Sequence, residues 1–225
     1  MALRTKLHSF LQKIRRYYKL RHAIKRISAL QAPGMPSREL LQDLRIGWGN
    51  EAYSADIDYL EEVARRALDA TGPVLECGSG LTTIILGLLA GRRGIDVRAF
   101  EHDAAWRSMI LSTLRDFRID GVGVHLTPLR GYGEFNWYDI SAASLPPTFS
   151  LVVCDGPPEA THGGRLGLLP LMRKHLAAGS LVLFDDANTK IGSEVLSRWV
   201  KDWNVDTQFV IKPEGTYAAV KIRNM

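Results

Sequence analysis

The sequence predicts an α/β fold: a mostly parallel sheet, helices on both faces and an antiparallel hairpin at the C-terminus. Three observations carry this. From Pro73 onward short apolar strands alternate with helical stretches, the pattern of β-α-β units. The run Phe149–Cys154 is continuously apolar, as a strand covered on both faces should be. The chain closes with two extended segments, Thr207–Ile211 and Thr216–Ile222, joined by the turn Pro213-Glu214-Gly215.

The elements follow in order. Residues 1–31 read as a basic amphipathic helix, with Leu3, Leu7, Phe10, Leu11, Ile14, Tyr17, Tyr18, Ile24 and Ile27 at three- and four-residue steps. Residues 32–72 read as linker and lid helices. Ala32-Pro33-Gly34-Met35-Pro36 breaks the first helix, and Ser37–Leu44 suits a short second one. The glycine-broken aromatic segment from Trp48 to Ser54 precedes a helix that turns Ile57, Leu60, Val63, Ala64, Ala67 and Leu68 to one side. The core spans residues 73–225. Its strands are predicted at Pro73–Glu76, Asp96–Glu101, Val122–Leu126, Phe149–Cys154 and Ser180–Phe184, before the hairpin. Helices are predicted at Thr82–Ala90, Ala104–Phe117, Leu166–His175, and from a Ser193 cap to Trp203. The segment carrying Tyr132, Trp137 and Tyr138 reads as a loop.

Composition bounds the partners. Of 225 residues, 46% are hydrophobic and 24% charged, enough to bury one full core. The net charge of +5 is unevenly placed. Residues 1–30 hold nine Lys/Arg and no acid, which leaves 20 basic and 24 acidic residues in the rest. The body is therefore mildly acidic, which disfavours nucleic acid as a partner. The basic helix suits self-docking, an anionic membrane surface or a protein partner. It also has the look of a transit peptide, without a cleavage context. No apolar run reaches the roughly 18 residues that span a bilayer. Cys77 and Cys154 fit neither a metal spacing nor a disulfide framework and read as buried thiols. Together these features predict a cytoplasmic protein, peripheral at the inner membrane face if the helix binds lipid.

Ligands of open parallel sheets bind beyond the carboxyl ends of the strands. The residues there are Glu76, Glu101, Asp155, Asp185 and Asp186. Such a rim favours a cation or a metal ion over a phosphate. Gly78-Ser79-Gly80 follows the first strand, a turn that lets a ligand approach the backbone. Thr83 replaces the third glycine of a dinucleotide site, while Glu101 stands where an acid accepts ribose hydroxyls.

Glu76-Cys77-Gly78-Ser79-Gly80 resembles motif I of class I S-adenosylmethionine-dependent methyltransferases, and Glu101 resembles their ribose-binding acid. The resemblance covers residues 46–222. It implies a Rossmann-like seven-stranded sheet, mostly parallel with a C-terminal antiparallel hairpin, and S-adenosylmethionine as cofactor. It places Glu76, Gly78, Ser79, Gly80, Thr83, Glu101, His102 and Asp155 around that cofactor, with Trp48 and Ser54 in a covering segment. Asp155 with Asp185-Asp186 resembles the metal site of magnesium-dependent O-methyltransferases. Those three acids then hold Mg²⁺, or they line the pocket without a metal; Asn188 is one residue out of register for ligation. Asp155, Asp186 and His162 are the candidate catalytic groups, and Arg165 a candidate anion clamp. Asp155-Gly156-Pro157-Pro158 departs from the motif of amide and base N-methyltransferases, because Glu159 occupies its aromatic position. The expected acceptor is a small-molecule hydroxyl. Alternatives are an RNA or protein methyltransferase, a same-fold aminopropyltransferase, and a non-catalytic cofactor- or membrane-binding module.

Overall fold

A computed structural model describes residues 2–31, 34–50, 54–141 and 143–224. Ala32-Pro33 of the helix break and Glu51-Ala52-Tyr53 of the covering segment lie outside the described residues, as do the side chains of Leu3 and Leu7.

Three helices precede the sheet: α1 (Ala2–Ala29), α2 (Arg38–Trp48) and α3 (Ile57–Asp69). Strand β1 (Val74–Cys77), helix α4 (Leu81–Leu89), strand β2 (Val97–Glu101), helix α5 (Ala104–Asp116) and strand β3 (Val122–Leu126) follow. A ribbon of β4 (Leu129–Gly131) and β5 (Asn136–Tyr138) leads to β6 (Phe149–Cys154), α6 (Leu168–Met172), β7 (Leu176–Asp185) and α7 (Lys190–Asp202). The hairpin is β8 (Val205–Lys212) and β9 (Gly215–Ile222). The seven-stranded sheet has the order β3-β2-β1-β6-β7-β9-β8, with β9 antiparallel to both neighbours and the other pairs parallel.

Alternation along the strands divides the core between the two faces. Val74, Val97, Ala99, Val153 and Leu183 pack with α1–α5 on one face. Leu75, Phe100, Val152, Cys154 and Phe184 pack with the ribbon, α6 and α7 on the other. Tyr59 of α3 reaches through to donate to the Leu183 carbonyl at 3.1 Å.

Helix α1 divides in two. Leu20, Ala23, Ile24 and Ile27 are buried, while Phe10, Leu11, Tyr17 and Tyr18 stay exposed. The buried half crosses α2 at Gly47, where a Cβ would lie 2.3 Å from the Leu20 nitrogen. No helix among the described residues is long and apolar enough to cross a membrane.

Some elements differ from the sequence expectation. The helix expected over Leu166–His175 is only the short α6 plus a 3₁₀ turn at Arg173–His175. Pro170 lies inside it and has no N–H to extend a ladder. Thr189, not Ser193, caps α7: its side chain accepts from Gly192 N at 3.0 Å. Ser193 Oγ instead donates to the Thr189 carbonyl at 2.7 Å. The expected loop around Tyr132–Tyr138 contains the β4–β5 ribbon, which buries Trp137 and Tyr138 completely.

Candidate active site

The register lines up Phe100, Cys77, Cys154 and Phe184 across four parallel strands. One step further along the chain stand Glu101, Gly78, Asp155 and Asp185, at a common carboxyl edge. Glu76 is the exception. Strand β1 runs on to Cys77, so Glu76 sits one residue inside the edge, fully buried. The predicted acidic rim is thus partly an interior one, since Glu101 is 3% and Asp185 6% exposed.

Alternation points Glu76 toward α4. Thr82 Oγ1 donates to its Oε1 at 2.5 Å, and Thr83 Oγ1 to its Oε2 at 2.6 Å. Thr83 Oγ1 also accepts from Gly80 N at 2.8 Å, which ties the glycine turn to the same group. Burial pushes the Glu76 carboxyl up to about 8. The two threonine bonds oppose that rise, and the charges of Asp155 and Glu101 add to it.

Glu101 is held by four donors. Ser79 gives its hydroxyl at 2.7 Å and its N–H at 3.2 Å, and the amides of His102 and Asp103 approach at 2.8 and 2.9 Å. His102 Nδ1 lies 3.1 Å from Glu101 Oε1. Trp106 of α5 donates its indole N–H to the Ser79 carbonyl at 2.8 Å, and Trp48 at the end of α2 packs edge-on against Trp106. Ser54 closes its own loop, donating to the Asn50 carbonyl at 2.7 Å.

The two glycines of the turn do different work. Gly78 has φ +87°, and a Cβ there would lie 2.8 Å from Gly156 N, so it lets β1 and the loop after β6 touch. Around Gly80, among the described residues, no atom beyond its chain neighbours lies within 4 Å of the place a Cβ would take. That open ground beside Ser79 and Glu101 is where a ligand can approach the backbone.

A second cluster forms at the ends of β6 and β7. Carboxylate oxygens of Asp155, Asp185 and Asp186 lie within 4.8 Å of one another. Asp186 has φ +55°, a left-handed conformation that Asp tolerates better than most residues. Arg165, 5% exposed, sits on this cluster. Its Nη2 is 3.2 Å from Asp155 Oδ1 and 3.0 Å from Asp186 Oδ2. Burial pushes the Asp185 carboxyl well above its usual range, and Asp155 and Asp186 add repulsion. Burial also raises Asp155, which Arg165 counters and Asp186 reinforces. A narrow crevice of only about 10 Å³ opens beside Arg165, between Glu159, Phe184, Asp186 and Ile191.

The structure therefore brings Gly78, Ser79, Gly80, Glu101, His102 and Trp48 into one group, and Asp155, Asp185 and Asp186 into another. Glu76 and Thr83 belong beneath the first, bonded to each other. The His162 side chain is exposed; its carbonyl accepts from Asn136 N at 2.8 Å. Arg165 is not an open anion clamp, because its guanidinium is committed to the acids and carbonyls around it. Trp106, Thr82 and the inward turn of Arg165 were not read as site features. Only Trp106 had a usable signal, an indole one turn into the helix after Glu101.

The chain has the fold of class I S-adenosylmethionine-dependent methyltransferases. Among solved structures it is similar to an O-methyltransferase from Bacillus cereus in complex with S-adenosylhomocysteine: 13% identity, TM-score 0.59, covering 88% of this chain and 96% of that one. It is similar to an S-adenosylhomocysteine-bound methyltransferase from Podospora anserina at 12% identity and TM-score 0.58, covering 83% and 86%. The TDP-rhamnose 3'-O-methyltransferase of calicheamicin biosynthesis aligns at 15% identity and TM-score 0.53, covering 91% and 93%. No protein-family model and no curated protein matches the sequence.

Proposed function

We propose that this protein transfers a methyl group from S-adenosylmethionine to a small-molecule hydroxyl. The observation that carries the reading is the turn Gly78-Ser79-Gly80, bonded to Glu101 and open in front of Gly80. The acids and the open glycine fit a cofactor that is cationic and carries a ribose diol. Ser79, Gly80, Glu101 and His102 would hold it, with Trp48 and Trp106 at the side. Bound there, it supplies an electrophilic methyl group.

The chain's own residues supply the rest. Glu101 is ionisable, buried and already an acceptor of four bonds, so it can exchange the Ser79 hydroxyl for ribose hydroxyls at little net cost. The acceptor would enter over the β6–β7 edge, beside the β4–β5 ribbon and the loop 156–165. Its hydroxyl must lose a proton while held about 3 Å from the reacting carbon. Asp155, raised by burial with Arg165 opposing the rise, is suited to take that proton. Asp186 is a second candidate, at the exposed side of the same cluster. His162 is the third, on a surface loop that would have to fold inward.

Magnesium is one of the two readings the three acids allow, and their oxygens are close enough to act as a donor set. Arg165 already supplies a cation to two of them, so the residues present do not fit a metal, and no step is assigned to one.

The experiment is an assay with S-adenosylmethionine across a panel of hydroxylated metabolites, with amines as controls and product mass as readout. Methylation of a hydroxyl that Asp155→Asn slows at least tenfold is expected. Transfer confined to amines, or to RNA or protein, overturns the acceptor assignment.

Basic helix α1 is proposed as an anchor for an anionic membrane surface, through exposed Phe10, Leu11, Tyr17 and Tyr18 with Lys13 and Arg15 beside them. Sedimentation with phosphatidylserine vesicles tests it: Lys13→Glu with Arg15→Glu should release the protein, and unchanged binding contradicts the idea.

A further inference from the structure

The acids Asp155, Asp185 and Asp186 have the composition of a divalent-cation site, and their oxygens fall within 4.8 Å of one another. Three observations concern what occupies their centre. Arg165 Nη2 reaches Asp155 Oδ1 at 3.2 Å and Asp186 Oδ2 at 3.0 Å. The same guanidinium is pinned to the sheet, with Nη2 to the Asp155 carbonyl and Nη1 to the Asp185 carbonyl, both at 2.5 Å. Its central carbon lies 5.4 Å from the Phe184 ring centroid, and the residue is 5% exposed.

The loop is built to deliver this side chain. Gly163 and Gly164 both have positive φ, +75° and +54°, just before Arg165. A Cβ at Gly163 would lie 2.5 Å from Phe135 Cβ, and one at Gly164 2.6 Å from Ile191 Cγ2. The loop is thus pressed between the ribbon and α7 and turns Arg165 inward. The guanidinium bridges the carbonyl ends of β6 and β7, so it cannot swing away without breaking bonds to both strands.

We propose that Arg165 is the resident cation of this site. It stands where a divalent metal would, and the site works without one. A metal needs six or more oxygen ligands around a compact ion. Here the oxygens that face inward are spent on a planar cation, whose Nη2 serves two separate carboxylates and the Asp155 carbonyl and whose Nη1 serves the Asp185 carbonyl. A divalent ion would have to displace a buried positive charge that has nowhere solvated to go. The proposal concerns the site read above as the acceptor end, but the guanidinium's place holds whatever the reaction is. It also assigns Arg165 a positioning role: it fixes the Asp155 and Asp186 carboxylates in place.

The test is a Mn²⁺ titration of the full chain, followed by electron paramagnetic resonance of the free ion. Wild type should show no site tighter than millimolar and should match Asp186→Asn. Arg165→Ala should bind Mn²⁺ at least tenfold more tightly than wild type, with Asp186→Asn on that background reversing the gain. Arg165→Met, which keeps the volume, replaces it if the alanine variant does not fold. A wild-type site of submillimolar affinity that Asp186→Asn weakens overturns the proposal. So does a folded Arg165 variant with no gain. The readout does not depend on methyl transfer, so a protein inactive toward every acceptor still decides it. In an active protein, EDTA should leave the rate within twofold.

Discussion

The two acidic clusters at the carboxyl edge of the sheet are satisfied in opposite ways. At the β1–β2 end, the hydrogen bonds to Glu76 and Glu101 come from threonine and serine hydroxyls and backbone amides, with the His102 imidazole 3.1 Å from Glu101. At the β6–β7 end, Asp155 and Asp186 meet the fixed charge of Arg165. Neutral donors leave the carboxylates short of positive charge, so an incoming cation gains from them. A buried guanidinium has already taken that gain at the other end. The first cluster is therefore poised to receive a cationic ligand, and the second to hold its own geometry.

Removing the cation should have the largest effect. Arg165→Ala leaves half-buried Asp155 and buried Asp185 without their cation, which costs about 3–5 kcal/mol. In a chain of this size that lowers Tm by roughly 6–20 °C, at about 2–4 °C per kcal/mol. Thermal unfolding at pH 7 measures it, and adding Mn²⁺ should restore part of the loss in the variant alone. A fall under 2 °C would mean the clusters do not differ as described.

Glu101→Ala comes next. It removes two prospective ribose bonds, each about 1–1.5 kcal/mol, so S-adenosylhomocysteine should bind about 30- to 150-fold more weakly. Asp186→Asn, at the other cluster, should leave that affinity within a few-fold.

Glu76 separates the clusters by pH. Its folded value of about 8 lies above the ordinary 4.5, so the unfolded chain ionises first. The stability that the protonated group contributes is complete below about 4.5 and is lost as pH rises toward 8. The slope is at most about 1.4 kcal/mol per pH unit. Denaturant unfolding at pH 5, 6.5 and 8 should show wild type losing stability relative to Glu76→Gln across that window. A cationic ligand favours the ionised form, so S-adenosylmethionine should gain on neutral S-adenosylhomocysteine as pH rises, and Glu76→Gln should flatten that gain.

The smallest effect is at the wall of the β6–β7 crevice. Thr189→Ala removes the α7 cap and should cost about 1 kcal/mol, while Ser193→Ala costs less.

Much of the fold was legible because its signals are local. Continuous apolar runs marked β1, β2, β6 and β7, and glycine and proline marked their ends. Gly78-Ser79-Gly80 with Glu101 was legible for the same reason: the turn and the acid stand at successive strand ends. What escaped depends on contacts between distant segments. Periodicity does not say that Gly78 is small for Gly156 while Gly80 is small for open space. Nor does it say that β1 continues to Cys77 and so carries Glu76 inside. Arg165 lies in a glycine-rich loop and reads from sequence as a candidate anion clamp. Only the packing of Gly163 and Gly164 against Phe135 and Ile191 turns it inward. Nor does the sequence separate Thr189 from Ser193 as the α7 cap, since both residue types can accept from a first-turn amide.

The central claim is that the β1–β2 end of the sheet is an S-adenosylmethionine site governed by Glu101. Calorimetric titration of S-adenosylhomocysteine into wild type and Glu101→Ala tests it most directly. The account predicts saturable one-to-one binding to wild type and at least a 30-fold weaker constant in the variant. No binding to folded wild type, or equal binding by both proteins, would contradict it.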